Sequence, residues 1–227
     1  MSMKILVIGE SIHFEECQQK FGQHEYSFVG EHREAEKFLA TNDVIFDFII
    51  DEEPHAFGIY ADKAVTAFLN TCKISLAELA HSVNNQMQCT IFGFNGLPTM
   101  LNRNILEVSV LTSNETGLLK KICQRLNTEY LLVDDRVGLV TARVISMIIN
   151  EAYYTVQEGT ANREDIDLAM KLGTNYPYGP FEWAERIGIK HVYELLEAIY
   201  EDTKDERYKI CPLLKKEYLK NISGIGH

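Results

Sequence analysis

The sequence has no excess of positive charge. Its 22 lysines and arginines face 33 aspartates and glutamates, a net charge of -11 with histidine neutral. A chain this acidic is a poor ligand for nucleic acid or for an anionic membrane surface. It contains no apolar run of the roughly 18 residues that a membrane-spanning helix needs. No CxxC occurs, and the cysteines (Cys17, Cys72, Cys89, Cys123, Cys211) are scattered and odd in number. That pattern predicts reduced thiols in a cytoplasmic protein, not a disulfide framework. His13, His55 and His81 lack the partner spacing of a metal site and read as loop or helix-surface histidines, so no metal is expected. There is no internal repeat and no low-complexity segment. The opening MSMKILVIGES runs straight into a strand pattern, with no signal-peptide layout, so no leader is expected.

The chain does have ample apolar material. Hydrophobic residues make up 46% of 227, enough for one large or two small cores. KILVIG at 4–9 and FDFII at 46–50 are short Ile- and Phe-rich runs that stop at Gly9 and at an acidic turn, as buried parallel strands do. Between and after them strand and helix alternate. Helices are predicted at 14–21, 33–40, 63–70, 76–83 and 115–126, and strands at 26–29, 89–94, 106–111 and 130–133. Such alternation implies right-handed crossovers and a mostly parallel sheet.

The stretch 134–159 reads as a turn and one long helix. Asp134 and Asp135 offer caps, Gly159 a stop, and Leu139, Val140, Val144, Ile145, Ile148, Ile149, Ala152 and Val156 form an apolar face at helical period. Beyond it the chain is all helix, at 163–172, 181–187, 190–200 and 212–219, the first capped by Asn162. The expected architecture is a truncated Rossmann-like parallel sheet domain, residues 1–133, followed by a helical domain, residues 134–227.

A strand, a glycine and a helix are the setting of the dinucleotide fingerprint G-x-G-x-x-G. Here only Gly9 of the three glycines is present. Ser11 and Phe14 hold the other two places, and Glu10 adds negative charge. Glu31 comes after the second strand, where an acid can hold a ribose hydroxyl.

The C-terminal half carries a clearer signature. EDIDLAM at 164–170, Gly179-Pro180-Phe181-Glu182, Arg207-Tyr208 and Pro212-Leu213-Leu214 together closely resemble the C-terminal domain of 3-hydroxyacyl-CoA dehydrogenases. KILVIG, FDFIID and FGFNGLPTM extend that resemblance to the first half. It implies an NAD-binding Rossmann domain and a helical domain that closes over a 3-hydroxyacyl-CoA and forms a homodimer. It also implies a histidine, oriented by a glutamate, that takes the hydroxyl proton as hydride leaves.

Carried over by position, Gly9 and Glu31 fall on the cofactor side, and Asn95 and Arg143 on the substrate side. Glu107 takes the place of the orienting glutamate, and is the one candidate left for catalysis. Asn95, Pro98 and Met100 match the family's HFFNPxPxM, which puts Phe92 where the histidine should be. Ala142 replaces the family's asparagine, and Cys72 and Lys73 replace two serines. The nucleotide-binding half lacks the long helix and strand that come after the family's second strand. Two readings stay open. One is a family member whose dehydrogenation is impaired; the other is a non-catalytic dimeric protein for acyl-CoA binding or assembly. The first still binds NAD and an acyl-CoA and transfers hydride with displaced groups; the missing glycines favour the second and predict weak or absent NAD binding.

Overall fold

The computed structural model describes residues 2–84 and 87–224. The chain forms two compact units, Met1–Val140 and Thr141–His227.

The first unit is built on β1 (Lys4–Ile8), α1 (Ser11–Phe21), β2 (Glu25–Val29), α2 (His32–Ala35), β3 (Val44–Asp47), α3 (Gly58–Ala61), β4 (Thr66–Asn70), α4 (Leu76–Ser82), β5 (Thr90–Phe94), β6 (Ile105–Val110), α5 (Thr116–Arg125) and β7 (Glu129–Leu132). The strands form one sheet in the order β2-β1-β3-β4-β5-β6-β7. All neighbours pair in parallel except β5 with β6. The expected truncated Rossmann-like sheet is present. Its first five strands run 2-1-3-4-5, one strand fewer beyond β2 than the order 3-2-1-4-5-6 of dinucleotide domains.

Side-chain alternation divides this unit's core into two apolar layers. Ile5, Val7, Phe46, Phe68, Phe92, Phe94 and Val108 face one side, under Cys17 and Phe21 of α1 and Leu119, Ile122 and Cys123 of α5. Leu6, Ile8, Ile45, Leu69 and Ile91 face the other, under Tyr60 of α3 and Leu76 and Leu79 of α4. The phenyl rings of Phe46 and Phe68 stack at 4.7 Å, and those of Phe68 and Phe92 lie 5.0 Å apart. The five cysteines are free thiols, all buried. Among the described residues no helix is long and apolar enough to cross a membrane.

Two expectations change here. The helix predicted at 63–70 is strand β4, because alternate residues Ala67 and Leu69 against Phe68 fill the two layers. Asp135 does not cap the long helix. Its carboxylate accepts the amides of Leu76 and Ala77, each at 2.9 Å, and so closes the N-terminus of α4.

The second unit contains α6 (Thr141–Gln157), α7 (Arg163–Thr174), α8 (Pro180–Ile187), α9 (Ile189–Thr203) and α10 (Pro212–Ser223). The long helix thus starts at Thr141. Its buried stripe is Ala142, Ser146, Ile149, Asn150 and Tyr153, while Val144 of the expected apolar face is 51% exposed. Phe181, Ala184, Ile187, Val192, Leu195, Leu196, Ile199 and Leu214 complete the core. Asn162 caps α7 as its sequence position predicts, its Oδ1 accepting the Asp165 amide at 2.8 Å.

Candidate functional site

In a sheet of this order ligands bind outside the carboxyl ends of the strands, at the point where the order reverses. Here that point lies between β1 and β3. The chain leaves β1 through Gly9 with φ +152°. Side chains of the same unit pack closely against this glycine. His13 is buried, against the expectation of a surface histidine. Its Nδ1 accepts the Glu10 amide at 3.0 Å, and its ring stacks on Phe48 at 4.4 Å, tilted only 10°. A Cβ built on Gly9 would meet His13 Nδ1 at 2.7 Å and Phe48 Cβ at 3.1 Å. Phe14, in the third glycine's place, stacks on Phe28 at 5.0 Å. Glu31 is exposed and pairs with the Arg33 guanidinium at 3.1 Å.

Further along the carboxyl edge, Asn70 ties three strands together. Its amide nitrogen donates to the Phe48 carbonyl at 3.0 Å, and its oxygen accepts the Gly96 amide at 3.0 Å. Asn95 is buried, and its Oδ1 accepts the Cys72 thiol and the Leu97 amide, each at 3.3 Å. Phe92 is fully buried in the β5 layer. In the antiparallel register Gly93 lies opposite Ser109 and Phe94 opposite Val108. Glu107 therefore projects from the face of Gly93 and Ser109, away from the face that holds Phe92. It accepts the Val140 amide at 3.3 Å. Nor does Gly93 leave room for a ring, since a Cβ there would meet Thr71 Oγ1 at 2.5 Å and Ser109 Oγ closer still.

Three buried acids escaped the sequence reading. Asp47, at the end of β3, accepts from Tyr60 Oη at 2.7 Å and the Ile49 amide at 3.1 Å, and meets His32 Nε2 at 2.8 Å. The other nitrogen of His32 lies 2.9 Å from Glu53. Burial lowers the His32 pKa, but the carboxylates of Asp47 and Glu53 outweigh it and raise the net value. Asp51 is buried with no well-formed hydrogen bond to either oxygen, and burial pushes its pKa up to about 7 against the pull of the Lys73 ammonium and amide. Glu16 of α1 accepts the Thr99 amide at 2.5 Å, and burial raises its pKa. Acidic letters at 47 and 51 were visible, but no spacing in the sequence marks them as buried.

In the helical unit Arg143 donates to Tyr208 Oη at 2.9 Å and lies over its ring, with Arg207 on the same ring. Asn150 accepts the Cys211 amide at 2.8 Å and donates to the Lys209 carbonyl at 2.9 Å. A cavity of about 750 Å³ is lined by Tyr153, Arg163, Asp167, Phe181 and Glu217 among others. Arg163 lies over the rings of Tyr153 and Phe181 and pairs with Glu217.

Comparisons with known proteins agree with this anatomy. A family model described as the 3-hydroxyacyl-CoA dehydrogenase C-terminal domain matches residues 138–224. A probable 3-hydroxybutyryl-CoA dehydrogenase of Bacillus subtilis is 35% identical over 149 residues, covering 65% of this chain and 52% of that protein. A 3-hydroxyadipyl-CoA dehydrogenase of Escherichia coli is 43% identical over 89 residues, covering 39% of this chain and 19% of that one. The crystal structure of (S)-3-hydroxybutyryl-CoA dehydrogenase from Ralstonia eutropha has TM-score 0.70 over 97% of this chain and 95% of that chain, at 18% identity, a likeness of fold. The helical unit is therefore a C-terminal domain of the 3-hydroxyacyl-CoA dehydrogenase type, and the chain resembles that family. It spans about half the length of the Bacillus relative.

Proposed function

We propose that the chain is a 3-hydroxyacyl-CoA dehydrogenase-type protein in which hydride transfer is lost or strongly impaired. The observation that carries this reading is the turn after β1, where His13 packs between Gly9 and Phe48 while Ser11 and Phe14 hold the places of the fingerprint's second and third glycines. The residues at this turn do not fit NAD. Glu31, the counterpart of the ribose acid, is held by Arg33 on the surface. A phenyl group at 92 accepts no proton, and Glu107 projects from the opposite face of the sheet. Gly9 and Glu31 keep the cofactor-side positions, and Asn95 and Arg143 the substrate-side positions. Glu107 is the carboxylate left to act as base.

The names of the relatives support an acyl-CoA as ligand. Exposed Leu168, Leu172, Leu219 and Ile222 support a homodimer through the helical unit. A non-catalytic acyl-CoA-binding dimer is the limiting form of the same reading.

The test is absorbance at the reduced-nicotinamide band, with purified chain, 3-hydroxybutyryl-CoA and NAD, or acetoacetyl-CoA and NADH. No turnover is expected, and no saturable NADH binding at micromolar concentration by calorimetry. Robust turnover abolished by Glu107→Gln would overturn the proposal and make Glu107 the base. Light scattering checks the dimer: a 26.0 kDa particle at every concentration would refute it.

A further inference from the structure

The carboxyl edge of β3 concentrates buried charge that the proposed function does not use. His32 is 4% exposed and lies between two carboxylates, Asp47 at 2.8 Å and Glu53 at 2.9 Å. A neutral imidazole has one N–H, so one of those contacts would set a lone pair against a carboxylate. Only the imidazolium donates to both. Tyr60 Oη and the Ile49 amide hold the same Asp47 from other sides.

Four residues further along the chain, Asp51 shows the opposite need. Both its oxygens are buried and neither makes a well-formed hydrogen bond, the Lys73 amide exerting only a small pull. Lys73 faces it, but the Lys73 ammonium is bonded to Glu52 at 3.1 Å. Glu52 and Asp47 add repulsion, and Cys72 is the remaining titratable neighbour. A buried carboxyl with so little donor support is less costly as the neutral acid.

We propose that this edge is a proton-linked latch: one proton on His32 and one on Asp51 keep the turn at 48–53 in its buried packing, and their loss loosens it. The latch stands independently of any acyl-CoA or nucleotide chemistry. The sign is the same for both groups. His32 has a folded pKa above its unfolded value. Its contribution is complete below about pH 6.5 and fades as pH rises through the folded value. Asp51 also has a raised folded pKa, so its contribution is complete below about pH 4 and is lost as pH rises through about 7. Both make the first unit less stable on the alkaline side.

The experiment is denaturant unfolding of the full chain between pH 5.5 and 8, for the wild type and for Asp51→Asn. Asp51 alone should lower the wild-type folding constant by about thirtyfold over that range. Asp51→Asn should remove the Asp51 part of the fall and leave only the His32 part. Equal pH slopes for the two chains would overturn the proposal. If Asp51→Asn does not fold, the wild type still decides. The Asp51 carboxyl ¹³C shift should titrate near neutrality, and hydrogen-exchange protection of the Ile49, Glu52 and Glu53 amides should fall with it. A midpoint below pH 5, or protection that ignores pH, would refute the latch.

Discussion

Gly9 and Gly179 both stand before a helix and both lack room for a Cβ, yet they seal their helices in different ways. At Gly179 the obstacle is Asp167 of α7, whose carboxylate accepts the Phe181 amide at 2.8 Å and the Glu182 amide at 3.2 Å. The helix end is satisfied by an acid from a neighbouring helix. At Gly9 the obstacle is His13 from the helix's own first turn, braced by Phe48. The first arrangement rests on EDIDLAM and GPFE, which lie within the stretch that the family model matches. The second has Gly9 alone of the glycine fingerprint and closes the turn with aromatic packing. One helix end is closed by a carboxylate from another helix, the other by an aromatic stack.

The comparison breaks first at Phe92. Phe92→His restores the family's letter but places an imidazole in a layer of phenyl rings, without a partner. Loss of aromatic packing and an unpaired polar group should cost about 4 kcal/mol, read by urea unfolding. No turnover with acetoacetyl-CoA and NADH should appear, because Glu107 projects from the other face. Activity gained with stability unchanged would show that β5 can present this position to a substrate.

Gly179→Ala tests the other side. The new methyl would meet Asp167 Cα at 2.5 Å and its carboxyl group closer still. Overpacking against backbone should cost about 2–3 kcal/mol and lower the thermal midpoint. An unchanged midpoint would mean that the tight α7–α8 packing is dispensable, and would remove the structural reason for keeping GPFE.

Much of the fold could be read from the sequence where the signal is local. Asn162 announces α7 because a cap acts within three residues. KILVIG announces β1 because a strand buried on both faces reads as a continuous apolar run. The failures all involve contacts distant along the chain. Asp135 looks like a cap for the long helix next to it, but it closes α4 far upstream. His13 looks like a surface residue until Phe48 is known to lie beside it. The pairing of His32 with Asp47 has no spacing rule behind it. The site departs from family expectation most where such contacts decide it. For Glu107 the facing depends on the β5–β6 register, which no letter near it announces.

The His13–Phe48 stack also couples the residues of this turn to one another. Returning glycine to the positions of Ser11 and Phe14 would not reopen the turn while the imidazole stays. Removing the imidazole alone leaves a void against Phe48, and shrinking Phe48 alone strips the ring from one side. Each single step costs stability of the kind large-to-small core changes do, and the benefit comes only when several are made together. Single substitutions that open this turn therefore pass through less stable intermediates before the space around Gly9 is cleared.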